Sequence, residues 1–334
     1  MLRQEKIRMI HDNILQVNRL TKTFDDFVAV DGIDFSVEEG EIFGFLGPNG
    51  AGKTTTINML TGLARPTSGK IYYAGRDYTG NIKKAQPLIG TVPDENNLYE
   101  ELDGFDNLCF CAALYGIRKT EREQRARRLL EQFDLAEAGE RPFKFYSKGM
   151  KRKLTVAAGI IHGPRLLFLD EPTTGVDVAS ARQIRSLIRQ LNASGTTIFM
   201  TTHYIEEAER LCHRIAFIVR GIIIQAGSVS ELMRQAQQDR ILQFTFAEGL
   251  EVTRLVRDFG GQFPECALKP LNGNVLRIHS LAPVALMPLM QFFDARGMTV
   301  LEAKIITPSL EEVFVKVTDV KREEMKKEKE ERKK

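Results

Sequence analysis

No stretch of the 334-residue chain approaches the ~18 consecutive apolar residues of a bilayer-spanning helix, so the chain is not expected to cross a membrane by itself. Its opening residues, MLRQEKIRMIHDN, hold no uninterrupted apolar core, which argues against a secretory signal. Cysteine is scarce. Four residues without C-x-x-C or metal-like spacing exclude a disulfide scaffold and a zinc ribbon, and Cys109 and Cys111 read as small apolar residues of a reducing compartment. Together these absences lead us to expect a cytoplasmic protein. An excess of one charge is missing too. The net +3 resides entirely in residues 321–334, which carry eight Lys or Arg against five Glu, and the rest balances 39 basic against 39 acidic residues. A neutral body lacks the basic footprint of a nucleic-acid binder, so no nucleic-acid partner is expected. The tail reads as a solvated helical extension, and its interspersed Glu residues disfavour the alternative of contact with anionic lipid headgroups.

What is present describes a globular chain of two domains, with 43% hydrophobic and 27% charged residues. ILQVNRLTKTF and VAVDGIDFSV alternate as antiparallel strands, and EIFGFLG reads as a buried strand feeding a Gly-rich loop. A helix is expected from Thr54 to Gly62, a strand at GKIYYAG, and a mostly helical insert from about Leu98 to Phe145. A helix at Lys148–Ile161, a strand at LLFLD, a helix at Ser180–Asn192, the strand TTIFMTTH and a hairpin turning at Arg220-Gly221 complete this half. Composition shifts after about residue 237. The remainder reads β-α-β-β-α-β, the split-βαβ or ferredoxin-like plan, with a hairpin at Asn272-Gly273 and a last helix at SLEEVFVKVT.

Two segments carry chemistry. Gly47, Pro48, Asn49, Gly50, Ala51, Gly52, Lys53 and Thr54 fit G-x-x-x-x-G-K-[ST] directly between a predicted strand and a predicted helix, which is the setting the pattern requires. Glycines let backbone N–H groups turn inward around phosphate oxygens, and the helix N-terminus adds its positive end. Lys53 supplies a point charge for the β- and γ-phosphates, Thr54 a hydroxyl for Mg²⁺, and Thr55 continues the loop into the helix. Leu166–Asp170 is an apolar run ending in a carboxylate and followed at once by Glu171. A buried strand would deliver Asp170 to its carboxyl end, to hold the Mg²⁺ shell, with Glu171 placed to polarise an attacking water.

Around these segments the chain resembles the ATP-binding-cassette (ABC) family. Tyr146-Ser147-Lys148-Gly149-Met150 resembles its signature segment, whose usual form is Leu-Ser-Gly-Gly-Gln, and Pro172 to Asp177 resembles the loop that follows the catalytic Glu. His203 matches the switch histidine, and Phe24 falls where an aromatic ring usually stacks on adenine, with Phe27 competing for the role. The resemblance covers residues from about 14 to 230. Thr307-Pro-Ser-Leu-Glu-Glu-Val-Phe314 more weakly resembles a C-terminal segment of ATPases from drug-resistance and sodium-export transporters, with Leu310, Val313, Phe314 and Val317 at helical spacing. Asp94 departs from the pattern, standing where Gln is usual. Either Asp94 or neighbouring Asn96 could serve there.

The resemblance implies an α/β P-loop ATPase core with an antiparallel β subdomain and a helical lobe at about 94–146. With the sequence pattern it gives an ATP-binding domain over 14–237, an α+β accessory domain over 238–320 and a charged tail. It implies ATP and Mg²⁺ as ligands, with Thr54, Asp170 and Asp94 near the metal. Glu171, His203 and Lys53 would be catalytic, joined by Ser147 and Gly149 acting on the nucleotide of a second copy. The expected function is the ATPase subunit of an exporter, peripheral on the inner face of the plasma membrane through a separate permease. The alternatives are a soluble ATPase acting on ribosomes or nucleic acid, and a nucleotide-dependent regulator with little hydrolysis.

Overall fold

A computed structural model describes residues 13–95, 97–236, 240–247, 252–280, 285–306, 309–315 and 318. The chain divides into two compact units, Met1–Ser228 and Val229–Lys334.

In the first unit, β1 (Asn13–Phe24) and β2 (Phe27–Glu38) form a long hairpin, followed by β3 (Ile42–Leu46) and helix α1 (Lys53–Thr61). Strands β4 (Ser68–Tyr73) and β5 (Arg76–Asp77) return to the hairpin, giving an antiparallel sheet ordered β2-β1-β4-β5. Next come β6 (Ile89–Val92), α2 (Gly104–Leu114), α3 (Lys119–Gln132), α4 (Lys148–Ile160), β7 (Leu166–Asp170), α5 (Val178–Ala193) and β8 (Thr197–Thr202). Helix α6 (Ile205–Leu211) and the hairpin of β9 (Arg214–Val219) and β10 (Ile222–Ser228) close the unit. The second sheet is ordered β10-β9-β3-β8-β7-β6, parallel except for the edge strand β10.

Two patterns explain this assembly. Strands β3, β7 and β8 are buried at every residue, as expected of a parallel sheet covered on both faces, whereas β1 and β2 mix buried and exposed positions. One apolar cluster joins Leu15, Val17, Leu20 and Val30 of the antiparallel sheet to Phe43, Phe45, Phe168 and Phe199 of the parallel one, with Ile57 and Leu60 of α1 between them. Strand β6 is a structural finding. Its apolar run is only four residues long before Pro93, too short to announce a strand in sequence.

The second unit opens with α7 (Val229–Ala236), then runs β11 (Arg240–Phe246), α8 (Val252–Gln262), β12 (Cys266–Asn272), β13 (Val275–Ser280), α9 (Leu286–Asp294) and β14 (Val300–Ile306). Its antiparallel sheet is ordered β12-β13-β11-β14, the split-βαβ arrangement. Phe244, Phe246, Phe259, Phe292 and Phe293 fill its core. Residues 310–315 are helical, with Leu310 and Val313 buried; Thr307, Pro308, Val317 and the tail 321–334 lie outside the described residues.

Candidate functional site

Four of the parallel strands end beside one another at the same edge of the sheet. Side by side they are β3, β8, β7 and β6, and their carboxyl ends lead into Gly47, His203, Glu171 and Pro93-Asp94 respectively. Leu46 lies across from Thr202, Asp170 from Thr201, and Val92 from Leu169. Such an edge is where open α/β sheets collect their ligands.

The Gly-rich loop follows β3 and turns directly into α1. Gly52 sits at φ 106°, and a Cβ on it would lie 2.7 Å from the Ala29 carbonyl oxygen, so both the backbone conformation and the close approach require glycine. Gly52 provides no side-chain cap for α1, and the first turn carries no acidic residue. The helix therefore presents uncapped N–H groups and its positive end on the loop side, the arrangement that accepts an anion. Lys53 is buried, donating to the carbonyls of Gly47 at 2.8 Å and Pro48 at 3.3 Å. Thr54 is exposed on the first turn, and Thr55 is half-buried beside it.

Across the edge, Lys53 Nζ meets Glu171 Oε1 at 3.1 Å. Glu171 Oε2 in turn contacts His203 Nδ1 at 2.8 Å and accepts from the Thr174 hydroxyl at 3.2 Å. Lys53, Glu171 and His203 thus form one continuous polar chain joining three strand ends. Glu171 adopts φ 48°, a left-handed conformation that costs a non-glycine residue about 1–2 kcal/mol. Its N–H donates to both the hydroxyl (3.1 Å) and the carbonyl (3.2 Å) of Thr201, which hold it in place. Asp170 is buried one residue earlier, and the Thr201 hydroxyl donates to its Oδ1. Thr201 therefore fixes both acids, a role that the run of threonines in β8 does not reveal in sequence.

Asp94 lies in the bend after β6, with its side chain exposed. Partial burial pushes its carboxyl up from the ordinary range; the Arg152 charge pulls it back, while Asp170, Glu171 and Glu95 push it further up. Asn96 lies outside the described residues. Two buried groups escape sequence reading altogether. Arg152 on α4 reaches the backbone around Asp94 and Asp170. Glu207 on α6 accepts from the Thr173 hydroxyl at 2.8 Å, and burial raises its carboxyl above the usual range.

Ser147 caps α4, accepting from the Met150 N–H at 3.2 Å. Gly149 follows in the first turn, where a Cβ would lie 2.2 Å from the Ser180 hydroxyl and 2.6 Å from its Cβ. Ser180 itself is held by Asp177, the N-cap of α5, at 2.9 Å through its N–H and 2.6 Å through its hydroxyl. The first turns of α4 and α5 are thus packed together within one chain. Phe24 stands exposed at the tip of the β1–β2 hairpin opposite Phe27, with Lys22 Nζ 4.6 Å from its ring centroid. Neither Phe24 nor Ser147 is joined to Lys53 or Glu171 by a described hydrogen bond or ion pair.

A hydroxyl at Thr54 and carboxylates at Asp170 and Asp94 are hard oxygen donors of the kind Mg²⁺ takes. Among the described residues no group of three or more His, Cys, Asp or Glu could hold a metal unaided. A hydroxyl and two carboxylates would fit such a cation if water and phosphate oxygens completed its shell.

Comparison with known proteins bears on the family and the fold. The family profile of ABC transporters matches residues 30–174. The linearmycin resistance ATP-binding protein LnrL of Bacillus subtilis is 35% identical over 316 residues, covering 91% of this chain and 98% of that protein. The daunorubicin resistance ATP-binding protein DrrA3 of Streptomyces coeruleorubidus is 35% identical, covering 92% and 96%. Among solved structures, an ATP-binding subunit of an ABC transporter superposes with a TM-score of 0.61 at 29% identity, covering 67% of this chain and 93% of that one. CbiO1 of Clostridium perfringens, part of the cbiONQ ABC transporter complex, gives 0.62 at 25% identity, covering 76% and 96%.

Proposed function

The chain belongs to the ABC transporter family, and from that premise we propose that it is the ATP-hydrolysing subunit of a two-component exporter. Two copies would close around two ATP molecules and drive a separate membrane permease, which would hold the chain at the inner face of the membrane. Among the described residues no helix is long and apolar enough to cross a membrane. Drug-resistance relatives matching nearly the whole chain support the exporter class. The observation that carries the catalytic reading is the Lys53–Glu171–His203 chain of contacts at the sheet edge.

The chemistry follows from what those groups can exchange. Phosphate oxygens entering the loop compete with Glu171 for the Lys53 ammonium and meet the uncapped N–H groups of α1. Glu171 Oε1, released from Lys53, then faces a water and takes its proton as the γ-phosphate is attacked. His203 keeps Nδ1 on Glu171 and leaves its other ring nitrogen for the γ-phosphate. Thr54 and Asp170 would hold Mg²⁺, with Asp94 nearby; when bound, the ion neutralises charge on the β- and γ-phosphates. Ser147, Gly149 and the start of α4 would face the nucleotide of the second copy, and Phe24 would stack on adenine.

The test is Glu171→Gln. This variant should bind ATP, lose turnover by about 10² or more through loss of the positioned base, and accumulate as a closed dimer. Unchanged turnover would defeat the assignment. Lys53→Ala should abolish nucleotide binding, and Ser147→Ala should spare binding while impairing hydrolysis. Mixed dimers of these two variants that behaved as independent halves would refute the shared site.

A further inference from the structure

Arg152 is 4% exposed, yet among the described residues no carboxylate lies within ion-pair distance of its guanidinium. Its donors go to backbone carbonyls instead. Nε donates to Pro172 at 3.0 Å, Nη2 to Asp170, and Nη1 to both Pro93 and Asp94, the latter at 3.2 Å. These acceptors belong to two segments, the turn after β6 and the end of β7 with the turn that follows it. A buried cation satisfied by four carbonyls has a planar fork as its requirement, since one fixed group must reach acceptors in several directions.

The place of this bridge in the sheet explains why it is needed. Strands β6 and β7 are paired as far as Val92 and Leu169. The next residue on the β6 side is Pro93, which has no N–H to continue the ladder. Beyond that point the two chain ends, one leading to Asp94 and the other to Asp170 and Glu171, are joined through Arg152. Burial pulls the Arg152 guanidinium below its ordinary range, and the charges of Asp94, Asp170, Glu171 and Glu207 push it back up. Asp94 is the position at which this chain carries an acid in place of an amide, and a fixed cation beside it offsets the added negative charge.

We propose that Arg152 is a positioning residue for hydrolysis, one that takes over from the β6–β7 ladder and sets the Asp94 turn against the Asp170–Pro172 turn that carries Glu171. The inference rests on the ATPase reading of Glu171. Helix α4, which carries Arg152, is capped by Ser147, so the segment assigned to the second copy's nucleotide adjoins the same rigid element. Without the fork, the Lys53 and Gly52 end of the site stays intact while the two acidic turns lose their fixed separation. Misplacement of a reacting group by about 1 Å costs about 10²-fold in rate, and nucleotide affinity need not follow.

The experiment uses the full chain as wild type, Arg152→Lys, Arg152→Gln and Glu171→Gln. It measures equilibrium binding of radiolabelled ATP with Mg²⁺, steady-state kcat and KM, and amide hydrogen exchange of peptides covering 93–98 and 47–54. Both Arg152 variants should keep ATP affinity within about threefold and lose about 10- to 100-fold in kcat, the split expected when alignment alone is removed. Exchange should accelerate at 93–98 and remain unchanged at 47–54. Wild-type kcat in Arg152→Lys would show that charge alone suffices and would overturn the proposal. So would lost ATP binding with exchange raised throughout, which marks a residue needed only for folding. If Arg152→Gln does not fold, the Lys variant, with its charge retained, decides between these outcomes. Full turnover in Glu171→Gln would instead overturn the ATPase reading, whatever Arg152 does.

Discussion

In the first unit Lys53, Arg152, Asp170, Glu171 and Glu207 are all buried, whereas in the second the buried side chains are apolar, with Ser280 the one buried polar residue among those described. Both units contain a sheet covered by helices, so the difference does not come from architecture. Burying charge is costly unless every group is paired, and a chain gains more stability from filling the same volume with hydrocarbon. The second unit does so with five clustered phenylalanines. The first accepts the cost where four strand ends meet, and several buried charges there hold a partner: Lys53 on Glu171, Asp170 on Thr201, one oxygen of Glu207 on Thr173, Arg152 on four carbonyls. A left-handed Glu171 adds backbone strain to the same place. The contrast separates a core that specifies structure from one that also holds reactive groups.

The largest effect should come from breaking the apolar side of this contrast. Phe293 is fully buried against Phe244 at 5.0 Å and Phe246 at 4.9 Å. Phe293→Ala should cost about 3–5 kcal/mol in urea unfolding of the second unit. ATP affinity of the folded fraction should be unchanged, and a loss of affinity would show that the two cores are not separable.

Next is Glu171→Gln, for which the loss of about 10² in turnover corresponds to about 2.7 kcal/mol. Here the contrast predicts the opposite split. The melting temperature of the nucleotide-free chain should fall only modestly, because buried Lys53 loses its anionic partner but keeps the Gly47 and Pro48 carbonyls, while hydrolysis collapses. A protein that loses stability in step with activity would place Glu171 among structural groups.

A smaller effect is expected at the contact between α4 and α5. Gly149→Ala introduces a methyl group into the space of Ser180 and should destabilise the first unit by about 1–3 kcal/mol. Adding Ser180→Gly should recover most of that loss. Failure of the second substitution to rescue would mean that the 146–150 segment is not set by this packing.

The smallest effect concerns acidity. Because burial raises the Asp94 carboxyl, the folded chain favours the protonated acid. The stability that Asp94 contributes is present below the ordinary aspartate value of 3.8 and is lost as pH rises through its higher folded value. Asp94→Asn and wild type should therefore converge in acid, with the variant the more stable above that window. Urea midpoints collected from about pH 3 to 7 would show it. A gap that widens towards acid would reverse the sign and remove Asp94 from the acidic cluster.

Much of the first unit was legible in the residues themselves because each motif is local. Gly47 to Thr54 lies between a strand and a helix that its own sequence specifies, and Leu166–Asp170 is apolar at every position before the acid. The Arg220-Gly221 hairpin announced itself in the same way, with both residues at positive φ in the structure. In the second unit, alternation and turn residues gave the β-α-β-β-α-β order. Strand β6 and helix α6 were not legible, since four and seven residues are too few to establish a period.

The sequence alone determined which groups are available: a phosphate-type loop, an acid pair, a histidine after a β-branched strand, and an acid at position 94. Each is a statement about neighbours along the chain, where spacing and burial pattern suffice. Only the tertiary structure decided that β3, β8, β7 and β6 lie side by side, so that Lys53, His203, Glu171 and Asp94 share one edge. It alone revealed Arg152, whose acceptors are 18, 20, 58 and 59 residues away along the chain. Those acceptors are backbone carbonyls, which every residue possesses, so no side-chain pattern could mark them in advance. Their selection came from where the sheet ladder stops and which buried donor stands opposite the gap.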